Sequence, residues 1–327
     1  MTPALAALRK GFPDSHISLL ISPWVREIFD GNPDIDEIII YDGKGQERTL
    51  QGKIRFIQSL RKRNFDTGIV MQPRSYKAAF LVYLSGSQDR IGYSHYLRNL
   101  FLTRTLEFPR VPFHDVDMFL DLALSLGVTP GRREPYLPLS TKAEHWADKF
   151  LEEEGVKSGE LLIGINPGAF KQSKRWPEPR YAQLSDILIK DFRAKVIVFQ
   201  GRDEDEIIGR VSALMREKAI IARTGIKELG ALCRRCKLFI GNDTGPMHVA
   251  AASGTPVIAL FGPADPTRSR PLGRHHVVIK KDLPCSPCSR KVCTELTCMK
   301  SISVEDVLQA IRLQLERIEK SDKAAQI

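Results

Sequence analysis

The chain has 327 residues, 43% of them hydrophobic, so it can fill the cores of two ordinary domains and is not globally disordered. Lys and Arg number 49 against 39 Asp and Glu, a formal charge of +10, which favours an anionic partner: nucleic acid, a phosphorylated substrate or an acidic membrane surface. No apolar run reaches bilayer-spanning length, the start carries no signal-peptide pattern, and six cysteines are too few for a disulfide scaffold, so the sequence reads as a soluble, cytoplasmic protein.

In chain order, the first half offers strands at 16–22, 36–41 and 66–71 and helical segments at 53–63, 74–84 and 115–126. The proline-marked stretch 134–146 lies between two patterns, and the expected domains are 1–150 and 151–327. The second half is more regular. Short apolar runs at 161–166, 195–199, 219–222, 238–241 and 256–262 alternate with helical segments such as 181–192 and 204–218. Such alternation implies right-handed βαβ units and a parallel sheet covered on both faces. Ser303-Val304-Glu305-Asp306 has the form of a capping box opening a final helix over 304–320.

Ligands of open parallel sheets bind beyond the carboxyl ends of the strands. Here those ends carry Asn166-Pro167-Gly168-Ala169, Gly201, Asn242-Asp243-Thr244-Gly245 and Gly262-Pro263. A helix beginning at Thr244-Gly245 points free N–H groups outward, and its dipole favours an anion. The plainer reading is an N-cap with Pro246 in the first turn. Lys174 and Arg175 follow the Asn166 turn and suit a diphosphate, or form a solvated basic loop. His248 is either a phosphate donor or a structural histidine. In the acidic run 203–206, one carboxylate could hold ribose hydroxyls, or the run is simply an acidic first helical turn. Neither G-x-x-x-x-G-K-[ST] nor G-x-G-x-x-G after a strand occurs.

The block GNDTGPMHVAAASGTPVIALFGPADPTRSRP (241–271) resembles the signature of glycosyltransferase family 9, the ADP-heptose:lipopolysaccharide heptosyltransferases. INPGAFKQSKRWP (165–177) resembles that family's other donor-side motif, and residues 65–93 resemble its N-domain pattern, nearest to the heptosyltransferase II branch. The resemblance implies a GT-B architecture, two Rossmann-like doubly wound domains facing a cleft. It implies ADP-L-glycero-D-manno-heptose as donor in the C-terminal domain and the lipid A-linked inner core of lipopolysaccharide as acceptor. Asn166, Gly168, Lys174, Arg175, Asp243, Thr244, Gly245 and His248 would form the donor side. Arg61, Arg63, Arg74, Lys77 and Arg98, with Lys62, would be acceptor contacts at the cytoplasmic membrane surface, where the protein would sit peripherally. Transfer would invert the anomeric centre, require no cofactor and leave ADP.

In the family a strand and a loop carrying Gly-Asp precede the first helix, and that Asp is the expected general base. This sequence starts at Met1-Thr2-Pro3-Ala4, which reads as the helix itself, with Thr2 at the N-cap and Pro3 at the first helical position. The expectation is a start placed at an internal methionine, or else a genuinely shortened gene, with an N-domain that lacks its first strand and is poorly folded or weakly active in the chain as written. No catalytic residue is assigned.

Cys285-x2-Cys288-x4-Cys293-x4-Cys298 could close a structural zinc site, although the spacing is not a common one. Cys233 and Cys236 fall on a helix between strands and read as half-buried packing residues. Alternatives are a GT-B enzyme with another nucleotide sugar, a sugar-nucleotide epimerase, or a shortened, non-catalytic nucleotide-sugar-binding protein. Nucleic-acid binding rests on charge alone and lacks any recognisable module.

Overall fold

The computed structural model describes residues 1–288 and 290–325. The chain divides into two compact units, Met1–Arg133 and Glu134–Ile327. The division falls before the expected 150/151. The helix Thr141–Glu153 packs on the helix Ile226–Arg235, and Leu137 N donates to Ala252 O at 2.9 Å, so residues 134–153 belong to the second unit.

The first unit holds β1 (Ser18–Ile21), β2 (Glu37–Ile40), β3 (Thr67–Val70), β4 (Asp89–Tyr93) and β5 (Arg104–Leu106). All pairings are parallel, but they make two sheets, β1-β2 and β3-β4-β5. The first helix covers Thr2–Gly11 with Met1, not Thr2, as its cap, because the N–H groups of Ala4 and Leu5 already bond to Met1 O. Strands β4 and β5 were not anticipated. The first opens on the charged pair Asp89-Arg90, and the second is short and half-exposed, so neither shows an apolar run.

In the second unit β6 (Leu162–Asn166), β7 (Lys195–Gln200), β8 (Ile220–Arg223), β9 (Leu238–Asn242), β10 (Val257–Phe261) and β11 (His276–Lys280) form one parallel sheet in the order β11-β10-β9-β6-β7-β8. The period-two alternation of side chains sends Ile163, Ile165, Val196, Val198, Ile240 and Leu260 to one face, against the helices Glu178–Lys190, Asp205–Leu214 and Val304–Ala325. The other face carries Phe199, Phe239 and Phe261, against the helices Thr141–Glu153, Ile226–Arg235 and Gly245–Ala252. Gly164 makes room there, since a Cβ on it would lie 2.7 Å from Phe199. The capping box forms as expected: Ser303 Oγ accepts from Asp306 N at 3.1 Å, and the Asp306 carboxylate accepts from Ser303 N at 2.7 Å. Cys233 and Cys236 are buried outright rather than half-buried, and burial pushes both thiols up.

Strand β11 escaped the sequence pattern because its apolar run is only Val277-Val278-Ile279, and every one of its residues is half-buried. It carries one pH-sensitive contact. His276 Nδ1 accepts the N–H of Val257 at 3.2 Å, and burial pulls the imidazole from 6.5 down to about 4. The fold therefore favours neutral His276. Its contribution is complete above pH 6.5 and is lost as pH falls through about 4. The urea midpoint of the parent should drop across that window more than that of His276→Gln; parallel profiles would remove His276 as the cause.

Candidate functional site

Strand order in the second unit reverses between β6 and β9, since the chain runs from β6 outward to β8 and then returns to β9 on the other side. Such a switch point leaves a crevice at the carboxyl ends of the two strands. The register pairs Asn166 with Gly241, so the exits of β6 and β9 leave the sheet side by side.

Asn242 ties these exits together. Its Oδ1 accepts from Trp176 N at 3.0 Å and from Tyr181 Oη at 3.0 Å. Its Nδ2 donates to Pro167 O at 2.9 Å and to Gly168 O at 3.2 Å. Asn242, Trp176 and Tyr181 are all fully buried. Burial pushes the Tyr181 phenol well up, so its hydroxyl keeps the proton it donates. The Trp176 indole donates to Ile302 O at 2.9 Å and stands edge-on to Tyr181 at 4.9 Å, which anchors the turn carrying Lys174.

Lys174 Nζ donates to the carboxylate of Asp243 and, at 3.1 Å, to the Asp243 carbonyl. Asp243 is buried, and Ser269 Oγ reaches its other oxygen at 3.3 Å. The ammonium is thus fixed at the head of the helix Gly245–Ala252. At that head Thr244 caps by backbone geometry alone: its side chain makes no cap bond and its Oγ1 turns back to Asn242 O at 3.3 Å. Gly245 is open to solvent, with nothing within 4 Å of where a Cβ would stand. His248 lies exposed on the first turn of the same helix. Arg175 Nε donates to Ala169 O at 2.9 Å and so braces the Gly168 loop. Asn166 is buried; its Nδ2 donates to Phe199 O at 3.3 Å, while its Oδ1 has no partner among the described residues. All eight donor-side residues anticipated from sequence therefore lie on the β6 and β9 exits or the turns that follow them.

The sequence reading did not single out Asn242 or Glu204. Glu204 accepts from Gly201 N at 2.7 Å, and a Cβ on Gly168 would lie 1.8 Å from its Oε1. Its carboxylate therefore sits between the exits of β6 and β7. Nothing in an acidic run of four marks which member turns inward. Gly168→Ala should fold, displace Glu204 and forfeit its bond to Gly201, at a cost of about 1–2 kcal/mol. An unchanged melting midpoint in calorimetry would show that Glu204 is not held there.

The basic residues of the first unit fare differently. Arg98 is 1% exposed and its guanidinium donates to Pro73 O and, at 3.4 Å, to Val70 O. It is a structural group and not the surface contact anticipated. Arg63 is paired with Glu37 at 2.7 Å, which holds that carboxyl below its usual range. Arg61 Nε donates to Leu84 O at 2.9 Å, Arg74 stacks over Phe108 at 5.3 Å, and Lys77 is exposed on its helix. Cys285 and Cys288 are exposed, Cys298 is buried, and Cys293 accepts from Leu296 N at 3.4 Å. Among the described residues no three His, Cys, Asp or Glu side chains gather as a metal site. Burial, and then the nearby Cys285 and Cys288, raise the Cys298 thiol.

The profile of glycosyltransferase family 9 (heptosyltransferase) matches residues 53–299, and the chain belongs to that family. It is 29% identical to lipooligosaccharide heptosyltransferase 2 of Haemophilus ducreyi, over 84% of this chain and 82% of that protein. It is 28% identical to lipopolysaccharide heptosyltransferase 2 of Salmonella typhimurium, over 84% and 81%. A glycosyltransferase family 9 crystal structure from Veillonella parvula superposes with a TM-score of 0.86 at 28% identity, covering 97% of this chain and 93% of that one. ADP-heptose lipopolysaccharide heptosyltransferase II of Escherichia coli, at 24% identity and a TM-score of 0.79, has the same fold. The fold class is α/β of GT-B type and the chain is a glycosyltransferase, as the sequence led one to expect.

Proposed function

We propose that this chain transfers L-glycero-D-manno-heptose, with inversion, from ADP-heptose to the lipid A-linked inner core of lipopolysaccharide, working peripherally at the cytoplasmic membrane face. The observation that carries the reading is the pairing of Lys174 with Asp243 across the β6/β9 switch point, at the head of an open helix. There the diphosphate meets an ammonium and unused helix N–H groups, which stabilise the charge that develops on the leaving ADP. Asp243 holds Lys174 in place and Arg175 holds the Gly168 loop. Gly168 lets the backbone approach the ligand, and Glu204 offers a carboxylate to the ribose hydroxyls. Thr244, Gly245 and His248 lie at the phosphate and sugar end, and Asn166 lies buried at the β6 exit nearby. No step needs a metal ion. Arg61, Arg74 and Lys77 remain the acceptor-side cations.

The names of the relatives support heptose transfer to lipopolysaccharide, and the name of the Escherichia coli enzyme of the same fold supports ADP-heptose as donor. Mass spectrometry of a lipid A-linked inner-core acceptor, incubated with ADP-heptose or with UDP and GDP sugars, tests the reading. A gain of one heptose with release of ADP is expected. Gain of another sugar from another nucleotide would overturn it.

A further inference from the structure

The helix Tyr76–Ser85 carries a single charge, Lys77, in the sequence YKAAFLVYLS. A helix that apolar is ordinarily enclosed on all sides. Here Ala79 faces inward, while Tyr76, Phe80 and Tyr83 are 59%, 42% and 47% exposed. Positions 76, 80 and 83 follow the i, i+4, i+7 spacing, so they form one stripe along the helix. The 3₁₀ segment Tyr96–Phe101 packs beside it and widens the stripe: Phe101 meets Phe80 at 5.0 Å and Tyr83 at 5.7 Å, and Leu97 and Leu100 are 75% and 73% exposed. This is a contiguous apolar and aromatic face, larger than scattered surface hydrophobics produce.

The charge around it is one-sided. Residues 50–104 contain ten Lys or Arg against Asp66 and Asp89, a formal +8 of the chain's +10. Three of these cations are in place at the face. Lys77 is on the helix, Arg90 stacks over the Tyr83 ring at 5.5 Å, and Arg61 bonds to Leu84 O. Tyrosine and phenylalanine ringed by Lys and Arg match the boundary of an anionic bilayer: rings at the level of the headgroups and ammonium and guanidinium groups on lipid phosphates. A second copy of the chain fits poorly, since a two-fold contact would set Lys77, Arg90 and Arg61 against the same three cations of the other copy.

We propose that the face formed by Tyr76, Phe80, Tyr83, Leu97 and Leu100 docks the first unit onto an anionic lipid bilayer. The proposal rests on the reading above in that the acceptor is lipid-anchored. The helix and the 3₁₀ segment follow the carboxyl ends of β3 and β4, the end of a parallel sheet where ligands bind. Docking there holds that end close to the membrane that carries the acceptor.

Flotation with vesicles of phosphatidylethanolamine and phosphatidylglycerol, compared with pure phosphatidylcholine, tests it. The parent chain should float with the anionic vesicles, and raising the salt should release it, by about fivefold in partition for each cation engaged. Phe80→Ser with Tyr83→Ser should lower partition roughly tenfold while the chain stays folded at the assay temperature and binds ADP-heptose as the parent does. Equal flotation with both vesicle types, or undiminished flotation of the double variant, overturns the proposal. So does a lipid-free dimer that the double variant dissociates, which would give the face to a second copy. ADP-heptose titration of the parent chain reads the donor site separately, so failure there leaves the vesicle result standing.

Discussion

Asn242→Asp is expected to unfold the second unit more readily than any other single-atom change at the site. The substitution keeps the shape and the oxygen that accepts from Trp176 and Tyr181. It replaces the NH2 group that donates to Pro167 O and Gly168 O with a second oxygen. A buried carboxylate oxygen would then face two carbonyl oxygens with no donor between them, or would hold a proton at the expense of its pKa. The expected loss is about 3 kcal/mol or more in urea unfolding, with the Gly168 loop released and donor binding lost. Asn242→Ala leaves the Tyr181 hydroxyl and the Trp176 N–H unpaired and should cost a similar amount by a different route. A midpoint for Asn242→Asp equal to the parent's would mean that the amide does not join the two strand exits.

Lys174→Met is expected to separate binding from folding. Asp243 is left buried with Ser269 as its remaining side-chain donor, which should cost about 2 kcal/mol, less than a fully enclosed pair because Lys174 is itself partly exposed. ADP affinity should fall about 100-fold, the equivalent of about 2.7 kcal/mol, because the diphosphate loses its charge-assisted donor. Asp243→Asn should spare part of that affinity, since the lysine remains but is less firmly aimed. If Lys174→Met binds ADP as tightly as the parent, the ammonium serves only the ion pair with Asp243.

The exits of β6 and β9 were legible because two rules act together on one short stretch. Apolar runs such as LFIG and LLIGIN mark buried parallel strands, and ligands collect where such strands end. Asn166, Gly168, Lys174, Asp243 and Thr244 stand at or just beyond those strand ends, and the family resemblance is what proposes them for the donor. What position could not supply is which side chains turn inward. Asn242 reads as a turn residue, yet its amide is the knot of the site. Glu204 is one of four consecutive acids, and only the backbone reversal at Asp203, with φ of 62°, brings its carboxylate against Gly168 and Gly201. Arg98 reads as a surface cation in a basic segment, but Gly92 opens a pocket that its guanidinium fills, and burial pulls the group below the ordinary arginine range. Strands β4 and β5 were missed because charged residues leave them without an apolar run, and β11 because its run, Val277-Val278-Ile279, is only three residues long. The cysteine spacing suggested a tetrahedral site; the chain sets Cys298 in the core beside Gly262, with Cys285 and Cys288 at the surface close to it.

The central claim is that the exits of β6 and β9 form an adenosine-diphosphate seat for the sugar donor. Calorimetric titration of the parent chain with ADP-heptose, ADP and UDP tests it most directly, with Lys174→Met alongside. The account predicts binding of both ADP ligands, little binding of UDP, and loss of ADP binding in the variant. Equal or tighter binding of UDP by a folded sample, or no binding of any of the three, would contradict it.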